Sequence, residues 1–242
     1  MTAATPSRPL PRLKAILFDL DDTLWPIGPV IAQAEISLHA WLAEYAPEVA
    51  RQFSIDALRR HRMALLAEQP DCYIDLATLR RAGLHSAFEA AGADLSKVEA
   101  AMAHFFSVRN GVTPYPDVLP GLQALKEKIL VGSISNGNAD LEVIGMAHHF
   151  KVSLAASQFG RAKPDPAIFL AACAALGVAP AEAVYVGDDL HLDVAGAQNA
   201  GMRAVWLNRN ASVAHLEAGI RPDAICATFD ELLAWLDRQL EE

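Results

Sequence analysis

A chain of 242 residues, 52% hydrophobic and 20% charged, has the composition of a globular protein and the length for one sizeable α/β unit with a smaller part attached. Its formal net charge of -9 argues against a broad nucleic-acid or anionic-membrane surface, because both need an excess of Lys and Arg to replace counterions. Cys72, Cys173 and Cys226 are widely spaced with no CxxC, so neither a disulfide framework nor a zinc site is suggested, and a reducing cytoplasm fits.

Residues 1–13 carry three prolines and no continuous apolar stretch, which predicts a flexible tail lacking the hydrophobic region of a secretory signal. No run approaches the roughly 18 apolar residues of a bilayer span, so the expected location is cytoplasmic. Residues 14–19 form a short apolar run ending abruptly in acids, the pattern of a buried parallel strand that delivers polar groups at its carboxyl end. From about residue 30 to 111 the texture changes to Ala, Leu, Glu and Arg with helical periodicity. It predicts roughly four helices and no strand, with Ser54 as an N-cap. Thr113-Pro114-Tyr115-Pro116 punctuates the return. Strands are then expected at 130–134, 152–155, 183–186 and 204–207, with helices at 119–128, 139–148, 166–176, 190–200 and 229–240. Alternating strand and helix predicts a doubly wound parallel sheet, an α/β fold. The expected division is a sheet core of residues 14–26 and 114–242, with 27–113 inserted as a smaller all-helical unit.

In an open parallel sheet the working residues lie beyond the carboxyl ends of the strands. Asp19, Asp21, Asp22 and Thr23 follow the first strand here, Ser135, Asn136 and Gly137 the second; Lys163 lies beyond the third, and Asp188, Asp189 and Asp193 follow the fourth. Singly, each has a plain structural explanation as a turn former, helix cap or solvated charge. Capping, however, requires neither two closely spaced carboxylates after one strand nor a Lys after another. Arg80, Arg81 and Arg109 in the insertion could clamp an anionic substrate, although helix charges are commonly just solvated.

The segments FDLDDTL (18–24), ISNG (134–137), AKPDPAIF (162–169) and VGDDLHLD (186–193) resemble, in order, the four signature motifs of the haloacid dehalogenase-like superfamily. The resemblance runs from residue 14 to 240 and implies a Rossmann-like core, with the insertion as an α-helical cap. It implies that Asp19 is a nucleophile that becomes phosphorylated and that Asp21 acts as general acid and then general base. Ser135, with backbone N–H groups near Asn136 and Gly137, would bind phosphoryl oxygens, and Lys163 would place a charge against them and Asp19. Mg²⁺ would be held by the Asp19 side chain, the Asp21 carbonyl and Asp188, with Asp193 supporting from behind. Asp22 and Asp189 are read first as loop or helix-start residues. The implied activity is hydrolysis of a small phosphorylated metabolite, with the ester and the oligomeric state undetermined. Phosphomutase, 2-haloacid dehalogenase and non-catalytic scaffold are the alternatives on the same fold. Dehalogenase-type members typically lack the second Asp of DxD and the metal-binding acid of the fourth motif, and both are present here.

Overall fold

The computed structural model describes residues 11–68, 74–209 and 220–241, so Cys72 and most of the expected tail lie outside the described residues. Six parallel strands form one sheet in the order β3-β2-β1-β4-β5-β6. They are β1 (Ala15–Phe18), β2 (Leu130–Ser135), β3 (Val152–Ala155), β4 (Ala183–Gly187), β5 (Arg203–Leu207) and β6 (Ala224–Cys226). β1 lies between β2 and β4, with Phe18 opposite both Ser133 and Val186. Every residue of β1 and β4 is buried, as expected for strands covered on both faces.

Side-chain alternation assigns those residues to two layers. Ile16, Phe18, Val184 and Val186 pack with Leu122, Leu125, Phe229 and Leu232 of α6 (Val118–Lys126) and α11 (Phe229–Glu241). On the opposite face, Leu17, Tyr185 and Trp206 meet Phe169 and Cys173 of α9 (Pro166–Leu176) and Ala197 of α10 (Gly196–Asn199).

Between β1 and α6 the described helices and strands are all helices: α1 (Ile27–Tyr45), α2 (Pro47–Gln52), α3 (Ile55–Glu68), α4 (Leu76–Ala91), a 3₁₀ turn (Leu95–Lys97) and α5 (Val98–Arg109). These helices share their own core of Leu38, Leu42, Val49, Leu84, Phe88, Met102 and Phe105. The extra helix α2 starts because Pro47, with its fixed φ, sits at N1. Ser54 accepts a bond from the Ala57 N–H (3.2 Å) at the start of α3.

The structure departs from expectation elsewhere. The helix expected at 139–148 is only α7 (Leu141–Ile144): Gly145, at φ 80°, ends it, and a 3₁₀ turn at Ala147–His149 follows. The helix expected at 190–200 opens as a π turn (Leu190–Ala195) before α10. α8 (Ala156–Phe159) and β6 were not expected, because four- and three-residue elements carry too little periodicity to read. No helix among the described residues is long and apolar enough to cross a membrane.

A buried carboxylate on α1 ties α3 and α4 to it. Glu35 of α1, 5% exposed, receives Arg59 Nε (2.5 Å) and Arg62 Nη2 (3.1 Å), with Arg80 Nη1 at 3.7 Å. Burial, then Arg62, pulls the Arg80 guanidinium down to about 9, with Glu35 opposing. Glu35→Ala would leave these guanidiniums facing one another without their shared carboxylate. We expect a loss of about 3–5 kcal/mol, the scale for breaking a buried ion pair, read as a lower urea midpoint.

Candidate active site

The strand order determines which loops meet. With β1 between β2 and β4, the segments after these three strands open side by side at the carboxyl edge of the sheet. Asp19 continues the ladder past β1 through its N–H to the Val186 carbonyl (2.9 Å), and the residue is 7% exposed. Asp22, at φ 62°, then reverses the chain: its N–H donates to the Trp25 carbonyl (2.8 Å) and its Oδ1 accepts from the Ile27 N–H at the start of α1. Asp22 therefore builds the turn.

Lys163 lies at the centre of the cluster. Only 3% exposed, its Nζ donates to Asp19 Oδ1 (2.5 Å), Asp193 Oδ1 (2.7 Å) and Tyr185 Oη (3.0 Å). Tyr185 in turn donates to the Ile134 carbonyl (2.9 Å). The Lys163 main chain is tied across the site by Asn136, whose Nδ2 donates to the Lys163 carbonyl (2.9 Å) and whose Oδ1 accepts the Lys163 N–H (2.8 Å). The Asn136 amide is thus engaged in holding the second loop to the third.

Ser135 Oγ accepts the Gly137 N–H (2.9 Å), curling the loop after β2. A Cβ at Gly137 would lie 2.4 Å from Asp21 Oδ2, so only glycine leaves room for that carboxylate over the loop. Gly187 similarly admits Asp193, whose Cγ would lie 2.3 Å from an added Cβ. Asp193 Oδ2 accepts the Asp189 N–H (3.0 Å), while Asp189 caps the following π turn through the N–H groups of His191 and Leu192. Asp188 receives the Thr23 hydroxyl at 3.2 Å, and its carbonyl accepts from Trp206 Nε1 (2.7 Å).

Carboxylate oxygens of Asp19, Asp188 and Asp193 come within 4.8 Å of one another. Burial pushes the Asp19 carboxyl well above its usual range; Lys163 opposes this, while Asp193 and Asp188 reinforce it. Asp188 is pushed up to about 7 by burial, then by Asp193 and Asp22. Burial acts to lower Lys163, but Asp19 and Asp193 outweigh it and hold the ammonium well above its ordinary value. One internal cation therefore does not balance these acids. Both carboxylate oxygens of Asp193 are engaged, by Lys163 and the Asp189 N–H, so Asp19 and Asp188 are the carboxylates of this group that could hold a hard divalent cation.

Asp21 does not join that group. Its Oδ1 accepts Trp25 Nε1 (2.8 Å) and Arg109 Nη2 (3.0 Å), and its Oδ2 accepts Arg109 Nη2 (2.7 Å). Of the arginines singled out in the insertion, Arg109 alone contacts the residues around Asp19. Arg80 lies over the Phe105 ring beside Glu35, and Arg81 pairs with Glu99 in the open. Sequence reasoning did not place Tyr185 in the cluster. A tyrosine inside an otherwise apolar strand, AVYVG, is the signal that could have prompted it.

The model of the haloacid dehalogenase-like hydrolase family matches residues 13–201. The chain belongs to that family. It is 34% identical over 204 residues to 5-amino-6-(5-phospho-D-ribitylamino)uracil phosphatase YigB of Escherichia coli, covering 83% of this chain and 85% of that protein. It is 34% identical over 207 residues to glyceraldehyde 3-phosphate phosphatase of Methanopyrus kandleri, covering 81% and 84%. Among solved structures, a 2-haloacid dehalogenase from Pseudomonas syringae pv. Tomato superimposes with TM-score 0.87 at 39% identity, covering 93% of this chain and 99% of that one. A HAD phosphatase from Thermococcus onnurineus gives 0.67 at 29%, covering 93% and 98%. These names lie on both sides of the chemical division within the family, so the choice of reaction rests on the residues of this chain.

Proposed function

We propose that this protein is a cytoplasmic, magnesium-dependent phosphohydrolase that cleaves a small phosphate monoester through an aspartyl phosphate on Asp19. The observation that carries this reading is the second carboxylate, Asp21, lying against Gly137 of the loop that would bind the phosphoryl group. Displacing halide from carbon releases a stable anion and needs no proton, whereas expelling an alkoxide from phosphorus does. An acid two residues beyond the nucleophile therefore has a function in ester hydrolysis that dehalogenation would not use. The relatives named as phosphatases support the same choice.

In the proposed cycle Ser135 and the N–H groups near Gly137 hold the phosphoryl oxygens. The Asp19 carboxylate attacks phosphorus while Lys163, fixed by Asn136 and Asp193, offsets the charge on the equatorial oxygens. Asp21 gives a proton to the departing oxygen and later takes one from the water that attacks the aspartyl phosphate. The carboxylates of Asp19 and Asp188 suit Mg²⁺, the family resemblance adds the Asp21 carbonyl as a ligand, and the uncompensated charge of the carboxylates is the reason to expect the ion. Bound there, the ion would neutralise charge between the ester and these acids. Residues 27–113 are proposed to form a separate cap that selects the ester.

A panel of phosphate monoesters, assayed with and without Mg²⁺ beside 2-chloropropionate, tests the assignment. Phosphate release that requires Mg²⁺, without halide release, is expected. Halide release with no phosphatase activity would move the protein to the dehalogenase reading favoured by its likeness to the Pseudomonas structure.

A further inference from the structure

The geometry points to Arg109 as a cap-borne positioning residue: it holds Asp21 as the base that activates water, and so ties hydrolysis of the aspartyl phosphate to the seated cap. This rests on the proposed phosphatase reading. Arg109 occupies the last turn of α5 and is 1% exposed, yet its hydrogen bonds do not go to the helices around it. Nη2 donates to both oxygens of Asp21 and Nε to Asn138 Oδ1 (3.0 Å), while Nη1 has no hydrogen-bond partner among the described residues. A cation that merely held the helical insertion together would use acceptors within it, as Arg59 and Arg62 do with Glu35.

The result for Asp21 is specific. Its carboxylate is an acceptor of bonds from Trp25 and Arg109, fixed above Gly137, next to the loop carrying Ser135. The neighbouring Asn110 Oδ1 accepts the Asp140 N–H (3.1 Å), so the exit of α5 is fastened to the core at two successive residues. In the step concerned, Asp21 takes a proton from water as the water oxygen bonds to phosphorus. The bond from phosphorus to Asp19 breaks, and its electron pair returns to the Asp19 carboxylate. If α5 lifted away, Asp21 would lose two of its three bonds and its direction.

The test uses the full chain, Mg²⁺ and 4-nitrophenyl phosphate. The nitrophenolate leaving group needs little protonation, so kcat/KM, which reports steps through phosphoryl transfer, depends weakly on Asp21. Water attack on the aspartyl phosphate enters kcat alone. Arg109→Gln should lower kcat about 10²-fold, at the lower end of the range for acid–base assistance. Its kcat/KM should fall by less than about tenfold, and a burst of about one equivalent of nitrophenolate should precede the slow phase. Arg109→Lys keeps the charge without the planar fork. It should show the same split with a smaller fall, and it carries the test should Arg109→Gln fail to fold. Equal losses in kcat and kcat/KM without a burst, or wild-type kinetics, would overturn the inference. Asp21→Asn, run in parallel, separates the two levels. A burst there but not in the Arg109 variants overturns the role of Arg109 alone. An inactive wild type, or no burst with Asp21→Asn, overturns the underlying reading along with it.

Discussion

Asp19→Asn should abolish turnover, by at least about 10³-fold, because a neutral amide of almost the same shape cannot attack phosphorus. The fold should survive. Lys163 would keep Asp193 and Tyr185 as partners, so the substitution does not strand a buried cation. It also removes one of three crowded carboxylates. Because burial pushes the Asp19 carboxyl upward in the folded protein, its ionisation opposes folding. That part of stability is fully present below the unfolded-state pKa and is lost as pH rises through the folded value. In the absence of metal at neutral pH, Asp19→Asn should therefore melt no lower than the wild type. Steady-state phosphate release and thermal melts check the two halves. Turnover within tenfold of the wild type would falsify the nucleophile assignment.

Exhaustive chelation should also eliminate hydrolysis, with Mg²⁺ restoring it and Ca²⁺ restoring it poorly, since the larger ion accepts a looser coordination sphere. The reason lies in the charge count around Asp19, where Asp188 and Asp193 stand close and, among the described residues, Lys163 is the cation bonded to Asp19 and Asp193. Asp188, pushed up to about 7, must give up its proton when a cation binds, so Mg²⁺ affinity should rise between about pH 6 and 8. Asp188→Ala should remove metal binding and activity together. Asp189→Ala should cost only the cap of the π turn, about 1 kcal/mol of stability. Calorimetric titration with Mg²⁺ separates these cases, and full activity in the chelated enzyme would refute the metal-dependent mechanism.

Three of the four motifs are legible because each stands where a short apolar run breaks into polar residues, and a parallel sheet leaves few other places for such a break. Asp19, Ser135 and Asp188 all follow runs of this kind. Lys163 is harder to place, since seven residues separate it from the end of β3 and its position depends on the bonds from Asn136. α7 was overread because LEVIGMAHH looks helical until Gly145 adopts a left-handed φ.

What the sequence by itself determined about this protein is the family, the parallel α/β core, the helical insertion and the short list of candidate residues. These depend on local order: apolar runs, their spacing, and which polar types follow them. Only the tertiary structure decided which of those residues share a hydrogen-bonded network. It drew Asn136 onto the Lys163 main chain, added Tyr185 from the middle of a strand, and assigned Asp22 and Asp189 to turn and cap. It also brought Arg109 to Asp21 across 88 positions of chain and buried it there, while Arg80 and Arg81 found other partners. In sequence these three arginines are equivalent helix cations. Burial and the partner each one meets distinguish them, and both are properties of the packed chain.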